Sequence, residues 1–257
     1  MSVVPFNGPW FGFLGVMALI GLALHFLLRR RPPLLRRRVL AAVAAANVVL
    51  YTTFTFNSIL DPNVPEVVLL QNLPFHLCNL VAWGLIPAYL FDWGRPTAWL
   101  RAFCFYPGVL SGLLTLTSPV PVYIGHPVFS LPSIGFYGVH SMNAILGVLL
   151  ATLGLYTPRY RDAFRAVGHL LLLATAILPL DLAFRAWLDP NANYFYLFNP
   201  EGAAILIALH NLVPIPYVYM VLLTPVALGG CLLLGVIYKA LSRLLGHAVA
   251  EPVAAPA

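Results

Sequence analysis

The third of the chain's long apolar runs opens with Asn72-Leu73-Pro74-Phe75-His76-Leu77-Cys78-Asn79. This motif places an imidazole, a thiol and a carboxamide in the first turns of a predicted membrane-spanning helix. Inside a bilayer, polar side chains usually face the interior of the helix bundle or a cavity. We therefore expect another helix to bring a matching group to the same depth, and His140 is the residue that can do so.

The composition is that of an integral membrane protein. Of 257 residues, 61% are hydrophobic and only 9% are charged, whereas a soluble domain carries about 25% charged residues. The apolar runs have the length of roughly 20 residues that a transmembrane helix needs and show little alternation, which favours a helical bundle over a barrel. We predict an all-α, seven-helix bundle that forms a single membrane domain over residues 1–257. Its predicted spans are 10–28, 39–57, 73–91, 99–117, 134–155, 166–187 and 216–238.

A shorter helix is predicted before the last span. Asn199-Pro200-Glu201 has the pattern of a helix start, with an N-cap, a proline at the first position and an acid in the first turn. The apolar segment that follows is too short to cross a bilayer. We expect an interfacial or re-entrant helix near 200–212 on the outer side.

The basic residues predict how the chain is oriented. Cytoplasmic loops carry an excess of lysine and arginine, and only Arg185 lies toward the opposite side. We therefore predict a multi-pass protein of the cell (cytoplasmic) membrane with its N-terminus outside. The net charge of +6 reflects this bias, and no folded soluble module is present that could carry a nucleic-acid-binding face. The basic residues of the predicted cytoplasmic side are Arg29, Arg30, Arg31, Arg36, Arg37, Arg38, Arg95, Arg101, Arg159, Arg161, Arg165, Lys239 and Arg243.

Cys78 and His140 are predicted to lie at similar depth. Measured from the expected starts of the third and fifth spans, they lie about 8 Å and about 9 Å down at a rise of about 1.5 Å per residue. His140 shares its helical face with Tyr137 and Asn143, at i−3 and i+3, so both are candidate substrate-binding residues. Asn143, like Asn79 and His76, can also donate a hydrogen bond to a developing oxyanion. A neighbouring imidazole activates a thiol, so Cys78 is a candidate nucleophile and His140 its candidate base.

His76 is a poorer partner for Cys78 than its closeness in sequence implies. Two residues on a helix point about 200° apart, so His76 groups instead with Asn79, where it can orient a substrate or donate a hydrogen bond. Cys104 and Cys231 are interpreted as apolar fillers, since no C-x-x-C motif is present. No cofactor or metal is predicted, because the histidines that could bind one lack tight ligand spacing. These histidines are His76, His126, His140 and His210.

Other polar positions are interpreted mainly as bundle packing. They are Asn47, Tyr51 and Thr55 in the second span, Ser111, Thr115 and Ser118 in the fourth, and the G-x-x-x-G pair Gly108 and Gly112, which allows close helix approach. Asp181 and Arg185 are four residues apart and are expected to pair. Both can also contact a lipid headgroup, and Asn193 can reach the outer mouth of the bundle.

The motif around Cys78, the Gly108-to-Pro119 segment, Gly138-Val139-His140 and Asn193-Tyr194 together resemble the YwaF-like family of integral membrane proteins over residues 40–240. That family is similar to a eukaryotic multi-span acyltransferase that makes ether phospholipids, and more distantly to membrane lipid hydrolases with threonine in place of the cysteine. The resemblance implies lipid acyl chemistry, with Cys78 as nucleophile and His140 as base.

Two functions from different classes follow. The first is a membrane enzyme that transfers or hydrolyses an acyl group of a phospholipid or lysophospholipid through a thioester on Cys78. The second is a protein that binds or transports a small ligand or lipid in an outward-facing polar cavity, with no covalent step. A light-sensing protein is excluded because the only lysine, Lys239, lies at the end of the last span. The lipid class and the oligomeric state stay open.

Overall fold

The computed structural model describes residues 1–60, 73–92 and 94–244, so Asn72 lies outside the described residues. Within these ranges the chain is all-helical and contains no strand. Two short 3₁₀ turns, Pro121–Tyr123 and Tyr194–Tyr196, lie in the connections. The α-helices are α1 (Gly8–Leu28), α2 (Pro33–Leu60), α3 (Leu77–Leu90), α4 (Arg95–Thr117), α5 (Leu131–Thr152), α6 (Tyr160–Trp187), α7 (Ala204–Leu212), α8 (Val218–Val221) and α9 (Leu223–Leu244).

Six of the described segments are long and apolar enough to cross a membrane. They are α1, α2, α4, α5, α6 and the segment formed by α8 and α9. The remaining predicted span is shorter than expected, since α3 has 14 residues. It begins at Leu77 and not at Leu73, because Leu73 precedes a proline, which disfavours helical backbone, and the N–H of Phe75 closes a turn on the Leu73 carbonyl at 2.7 Å.

The central helix of the bundle is α5, which packs closely on α4. A β-carbon on Gly112 of α4 would lie 2.7 Å from the carbonyl oxygen of His140 on α5. One on Gly108 would lie 2.8 Å from the side chain of Val81 on α3. The predicted close approach at this G-x-x-x-G pair is therefore confirmed, and it brings α3, α4 and α5 together around one level of the bundle.

The outer helices expose apolar side chains. A helix that is apolar on all sides and not enclosed by protein is typical of a membrane span. Exposed large apolar residues on α1, α6 and α9 include Phe11, Leu19, Leu27, Leu172, Leu182, Leu233 and Val236. The fold is therefore that of a multi-pass membrane protein with a packed centre and a lipid-facing exterior.

The segment before the last span differs from its prediction. Glu201 and Gly202 have φ angles of 43° and 86°, values that a right-handed helix does not use. The Ala203 N–H donates to the Pro200 carbonyl at 2.9 Å, so residues 200–203 form a turn and α7 starts at Ala204. The predicted helix start at Asn199 is wrong, and the expected short helix follows a few residues later.

Candidate active site

Cys78 is the second residue of α3 and lies in the first turn of this helix. His76 is the N-cap, and its carbonyl accepts the N–H groups of Asn79 and Leu80, each at 3.0 Å. The N–H groups of Leu77 and Cys78 have no acceptor among the described residues. Because free N–H groups and the helix dipole favour negative charge at a helix N-terminus, this position suits a thiolate.

His140 of α5 lines the same cavity as Cys78, and its imidazole is close enough to the Cys78 thiol for the two groups to interact electrostatically. Its Nδ1 is 2.7 Å from the carbonyl oxygen of Phe136, four residues earlier on the same helix. A carbonyl oxygen can only accept, so Nδ1 carries the proton and Nε2 is left with its lone pair. The imidazole is therefore held in the tautomer that can take a proton from the thiol.

Two hydroxyl groups of α4 complete the surroundings of the sulfur. Thr115 Oγ1 lies 3.8 Å from Cys78 Sγ, and Ser111, which lines the same cavity, also interacts with the thiol. The sulfur thus has an imidazole from α5 and two hydroxyls from α4 as neighbours.

Asn143 holds the backbone at the nucleophile. Its Nδ2 donates to the carbonyl oxygen of Cys78 at 2.8 Å, and its Oδ1 accepts from Nδ2 of Asn47 on α2 at 2.9 Å. Asn143 and Asn47 are 1% and 4% exposed. This buried chain of amides joins α2, α5 and α3, so Asn47 has the packing role that the sequence predicted, while Asn143 fixes the position of Cys78.

A cavity of about 850 Å³ lies inside the bundle and is lined by Cys78, His140 and Thr115. Ligand-binding pockets usually measure about 300–1,000 Å³. Among the described residues that line it, Glu201 is the single acid and no lysine or arginine contributes. Apolar side chains from α6, α7 and α9 form much of the remaining wall, including Val167, Leu170, Ala174, Ile205, Leu206 and Ala227. The cavity therefore suits a ligand that is largely apolar.

The loop between α6 and α7 closes around His76. The imidazole of His76 packs against the rings of Tyr194 and Tyr196, with centroids 5.3 and 5.4 Å away. Asn193 lines the cavity, but its amide already holds the loop. Nδ2 donates to the Asn199 carbonyl and to Glu201 Oε1, at 2.9 and 2.7 Å, and Oδ1 accepts the Phe198 N–H at 2.8 Å.

The acidic groups at this side of the cavity favour their neutral forms. Burial raises the pKa of Tyr196 and raises the pKa of Tyr123 to about 12. Glu201 is an exposed residue, yet burial of its carboxylate raises the pKa, and the hydrogen bond from Asn193 opposes this effect.

Four predicted site residues do not line the cavity, and Asn143, whose amide binds Cys78 and Asn47, is the first of them. Tyr137 is fully buried in an apolar cluster with Trp10 and Phe136. Asp181 and Arg185 form no ion pair with each other in the described part of the chain, so that prediction is wrong.

These two side chains bind the following loop instead. Asp181 is fully buried and accepts the Tyr194 N–H at 3.0 Å. Arg185 donates to the Ala192 carbonyl at 2.9 Å, and its guanidinium lies 4.4 Å from the centre of the Phe198 ring. They support the loop that carries Asn193.

The two remaining cysteines lie outside the cavity. Cys104 and Cys231 are 0% and 1% exposed, within the apolar core. His76, His126 and His140 all line the cavity, whereas His210 packs edge-to-face against Tyr219. No three histidine, cysteine, aspartate or glutamate side chains converge to hold a metal ion within residues 1–60, 73–92 and 94–244.

The sequence did not identify Ser111 and Thr115 as neighbours of Cys78. Their spacing predicted a polar stripe on α4, but spacing cannot say which helix the stripe faces. Glu201, Tyr123 and Tyr196 were missed for a related reason, since loop residues reach the cavity only through the tertiary fold.

The fold and this site define a multi-pass helical membrane protein with a cysteine–histidine pair in an internal cavity. The chain belongs to the TMEM164 family, whose model matches residues 6–237. No curated protein and no solved structure matches the chain at a significant level.

Proposed function

We propose that the protein is a membrane-embedded lipid acyl-transfer enzyme, with Cys78 as the nucleophile and His140 as the base. One observation carries the proposal. The Cys78 thiol and an imidazole whose Nδ1 is committed to the Phe136 carbonyl line the same largely apolar cavity and interact electrostatically there. The resemblance to the YwaF-like family and its acyltransferase relatives supports the same chemistry.

The first half of the reaction forms a thioester. His140 Nε2 takes the proton from Cys78, and the sulfur electron pair attacks the ester carbonyl carbon of a phospholipid. The tetrahedral intermediate collapses as the carbon–oxygen ester bond breaks. The departing alkoxide then takes the proton from His140 and leaves as a lysophospholipid.

The second half returns the acyl group to an acceptor. His140 takes a proton from a lysophospholipid hydroxyl or from water, the new oxygen attacks the thioester, and the sulfur leaves and regains its proton. A lipid acceptor makes the enzyme an acyltransferase, and water makes it a hydrolase. Hydrogen-bond donors for the oxyanion come from Asn79 and His76, which line the cavity, and from the first N–H groups of α3.

We assign the chain seven crossings, with α3 as the seventh, in a single domain in the cell membrane with its N-terminus outside. The 14 residues of α3 extend about 21 Å, less than the roughly 30 Å hydrocarbon core. Its N-terminus, with Cys78, therefore lies below the membrane surface, where ester groups of lipids can reach it. Asn193 would face the headgroup, with Asp181 and Arg185 as supports of its loop.

Intact-mass measurement of the purified protein after incubation with mixed phospholipids tests this proposal. We expect an added acyl mass on Cys78 that hydroxylamine removes and that is missing in Cys78→Ala and His140→Ala. Cys104→Ala is the matched control and should keep the adduct. A Cys78→Ala protein that folds normally and retains full lipid-acyl turnover would contradict the mechanism. Stable noncovalent lipid binding with Cys78 unmodified across a broad lipid panel would favour a binding or transport protein.

A further inference from the structure

Thr115 differs from the other hydroxyl residues near the end of α4. Ser111 Oγ donates to the Gly108 carbonyl at 3.3 Å, and Thr117 Oγ1 donates to the Leu113 carbonyl at 3.1 Å. Such back-bonding is the usual way for a helix to satisfy a hydroxyl. Among the described residues, Thr115 makes no bond of this kind, and its Oγ1 lies 3.8 Å from Cys78 Sγ. Its single proton is therefore available to the sulfur.

The other elements around the sulfur supply few charges. The ionisable groups that interact with it are His140 on α5 and Tyr196 on the 3₁₀ turn, while His76, at the N-cap of α3, lines the same cavity. α6 lines the cavity with apolar side chains, and the polar group that α9 contributes is the hydroxyl of Thr224. Because no described lysine or arginine lines the cavity, a thiolate must be stabilised by the imidazolium and by neutral donors.

We propose that Thr115 is a further catalytic residue, whose hydroxyl donates a hydrogen bond to the Cys78 sulfur when the thiol has passed its proton to His140. This inference rests on the Cys–His reaction proposed above. The Thr115 O–H bond stays intact throughout, and only the S–H proton moves, to His140 Nε2. As the sulfur electron pair forms the S–C bond, negative charge leaves the sulfur and the hydrogen bond from Thr115 weakens.

The role predicts a specific effect on thiol chemistry. A hydrogen bond to an ionised acceptor is roughly twice as strong as one between neutral groups, so Thr115 favours the thiolate over the thiol. Removing the hydroxyl should move the pH of half-maximal Cys78 alkylation upward by about one unit, which is a tenfold change in the thiol–thiolate equilibrium. Because a more basic thiolate is also a better nucleophile, the rate at pH 7 should fall by a smaller factor, about three- to fourfold.

Iodoacetamide alkylation of Cys78 in the full chain, followed by mass spectrometry of the Cys78 peptide from pH 6 to pH 10, tests this inference. Thr115→Val keeps the shape of the side chain and removes the hydroxyl, and Thr115→Ser restores the hydroxyl. We expect the shift and the slower rate in Thr115→Val and near-native behaviour in Thr115→Ser. Thr117→Val is the matched control, because its hydroxyl serves its own helix, and it should leave the profile unchanged.

Several outcomes would overturn the inference. If Thr115→Val has the native pH profile of Cys78 alkylation, Thr115 does not have the proposed role. The same conclusion follows if Thr117→Val shifts the pH of half-maximal alkylation by an equal amount. If Thr115→Val does not fold, judged by gel filtration and circular dichroism, Thr115→Ala replaces it with the same expected shift. A native profile in that variant would be equally decisive.

Alkylation requires no lipid, so the two proposals fail separately. An acyl adduct on Cys78 together with a native profile in Thr115→Val overturns this inference alone. A shifted profile together with no acyl adduct on any lipid overturns the proposed function alone.

Discussion

The polar groups at the two ends of the bundle have different surroundings. At the end where α1, α3 and α5 terminate, arginine side chains bind carbonyl oxygens. Arg36 donates to the Leu153 carbonyl at 2.8 Å, and Arg37 donates to the Tyr89 and Leu90 carbonyls, each at 2.8 Å. We call this the arginine end. At the opposite end, the cavity end, the first N–H groups of α3 and the sulfur of Cys78 face a cavity.

The two ends therefore differ in whether their backbone polar groups already have hydrogen-bond partners. A helix leaves its last four carbonyl groups without partners, and the arginine end satisfies several of them with cations that also complement the helix dipole. The cavity end leaves donors of the first turn of α3 without acceptors among the described residues. Satisfied groups hold the helices together, whereas groups with unused hydrogen-bonding capacity are available to a ligand.

Replacing His140 should damage the cavity end alone. His140→Gln keeps a polar side chain of similar reach but cannot take the thiol proton, so acyl turnover should fall by about 10²- to 10⁴-fold. The melting temperature should stay near that of the native protein. His210→Gln is the matched control, since His210 does not line the cavity. Equal turnover in His140→Gln and the native protein would break the distinction between the two ends.

Replacing the arginines that bind the C-terminal carbonyls of α3 should damage the arginine end alone. Arg101 donates to the Ala88 carbonyl at 2.9 Å, and it joins Arg37 at Asp92, with distances of 3.7 and 3.2 Å. Arg37→Ala or Arg101→Ala should lower the free energy of unfolding by about 2 kcal/mol, because carbonyls lose a charged donor. Cys78 alkylation per folded molecule should not change. The matched control is Arg38→Ala, an exposed residue, which should stay within about 0.5 kcal/mol.

Gly112 offers a further test, because the absence of a side chain at this position allows α4 and α5 to pack closely. An added β-carbon would meet the His140 carbonyl at 2.7 Å, so Gly112→Ala should force the helices apart and cost about 1–3 kcal/mol. It should also slow alkylation of Cys78. Gly168→Ala of α6 meets no atom within 4 Å and should be neutral or stabilising by up to about 1 kcal/mol. Thermal unfolding in detergent measures both, and equal melting temperatures would contradict this account.

The smallest expected effect is a pH dependence at Glu201. Burial raises the pKa of Glu201 in the folded chain, so folding favours the protonated carboxyl. The free energy of unfolding should be highest below the ordinary glutamate pKa and fall as pH rises through the raised value. Glu201→Gln should remove this pH dependence. The change in the free energy of unfolding across the pH range should be less than about 1 kcal/mol, because solvent partly screens the residue. If the melting temperatures of the native protein and of Glu201→Gln change in parallel between pH 4 and pH 8, the expectation is contradicted.

The parts of the fold that follow from local pattern were predictable. Apolar run length predicts the helical membrane class, and the G-x-x-x-G pair predicts the contact of Gly112 with α5. The similar level of Cys78 and His140 also follows from the sequence, although Cys78 lies nearer the start of its helix than expected. Pro74 delays that start, and its effect on a boundary is hard to judge from sequence alone.

The parts that depend on loops were not predictable. Asp181 and Arg185 have the spacing of an ion pair, but the loop after α6 folds back and offers backbone groups that bind both. The helix start at Asn199 is lost because Glu201 adopts a positive φ, where Asn193 binds its carboxylate. Thr115 illustrates the same limit, since helical period alone does not identify the helix that a stripe faces.

The arginine caps have a consequence for how the protein is made. In the orientation proposed above, the positive-inside rule counts Arg36, Arg37 and Arg101 among the residues that hold their loops in the cytoplasm during insertion, and the same side chains bind carbonyls at the ends of α1, α3 and α5. The same arginines would therefore both orient the loops during insertion and bind the helix ends in the folded protein. Charge swaps designed to invert the protein in the membrane would also leave these helix ends open, so an inverted chain would be a misfolded one.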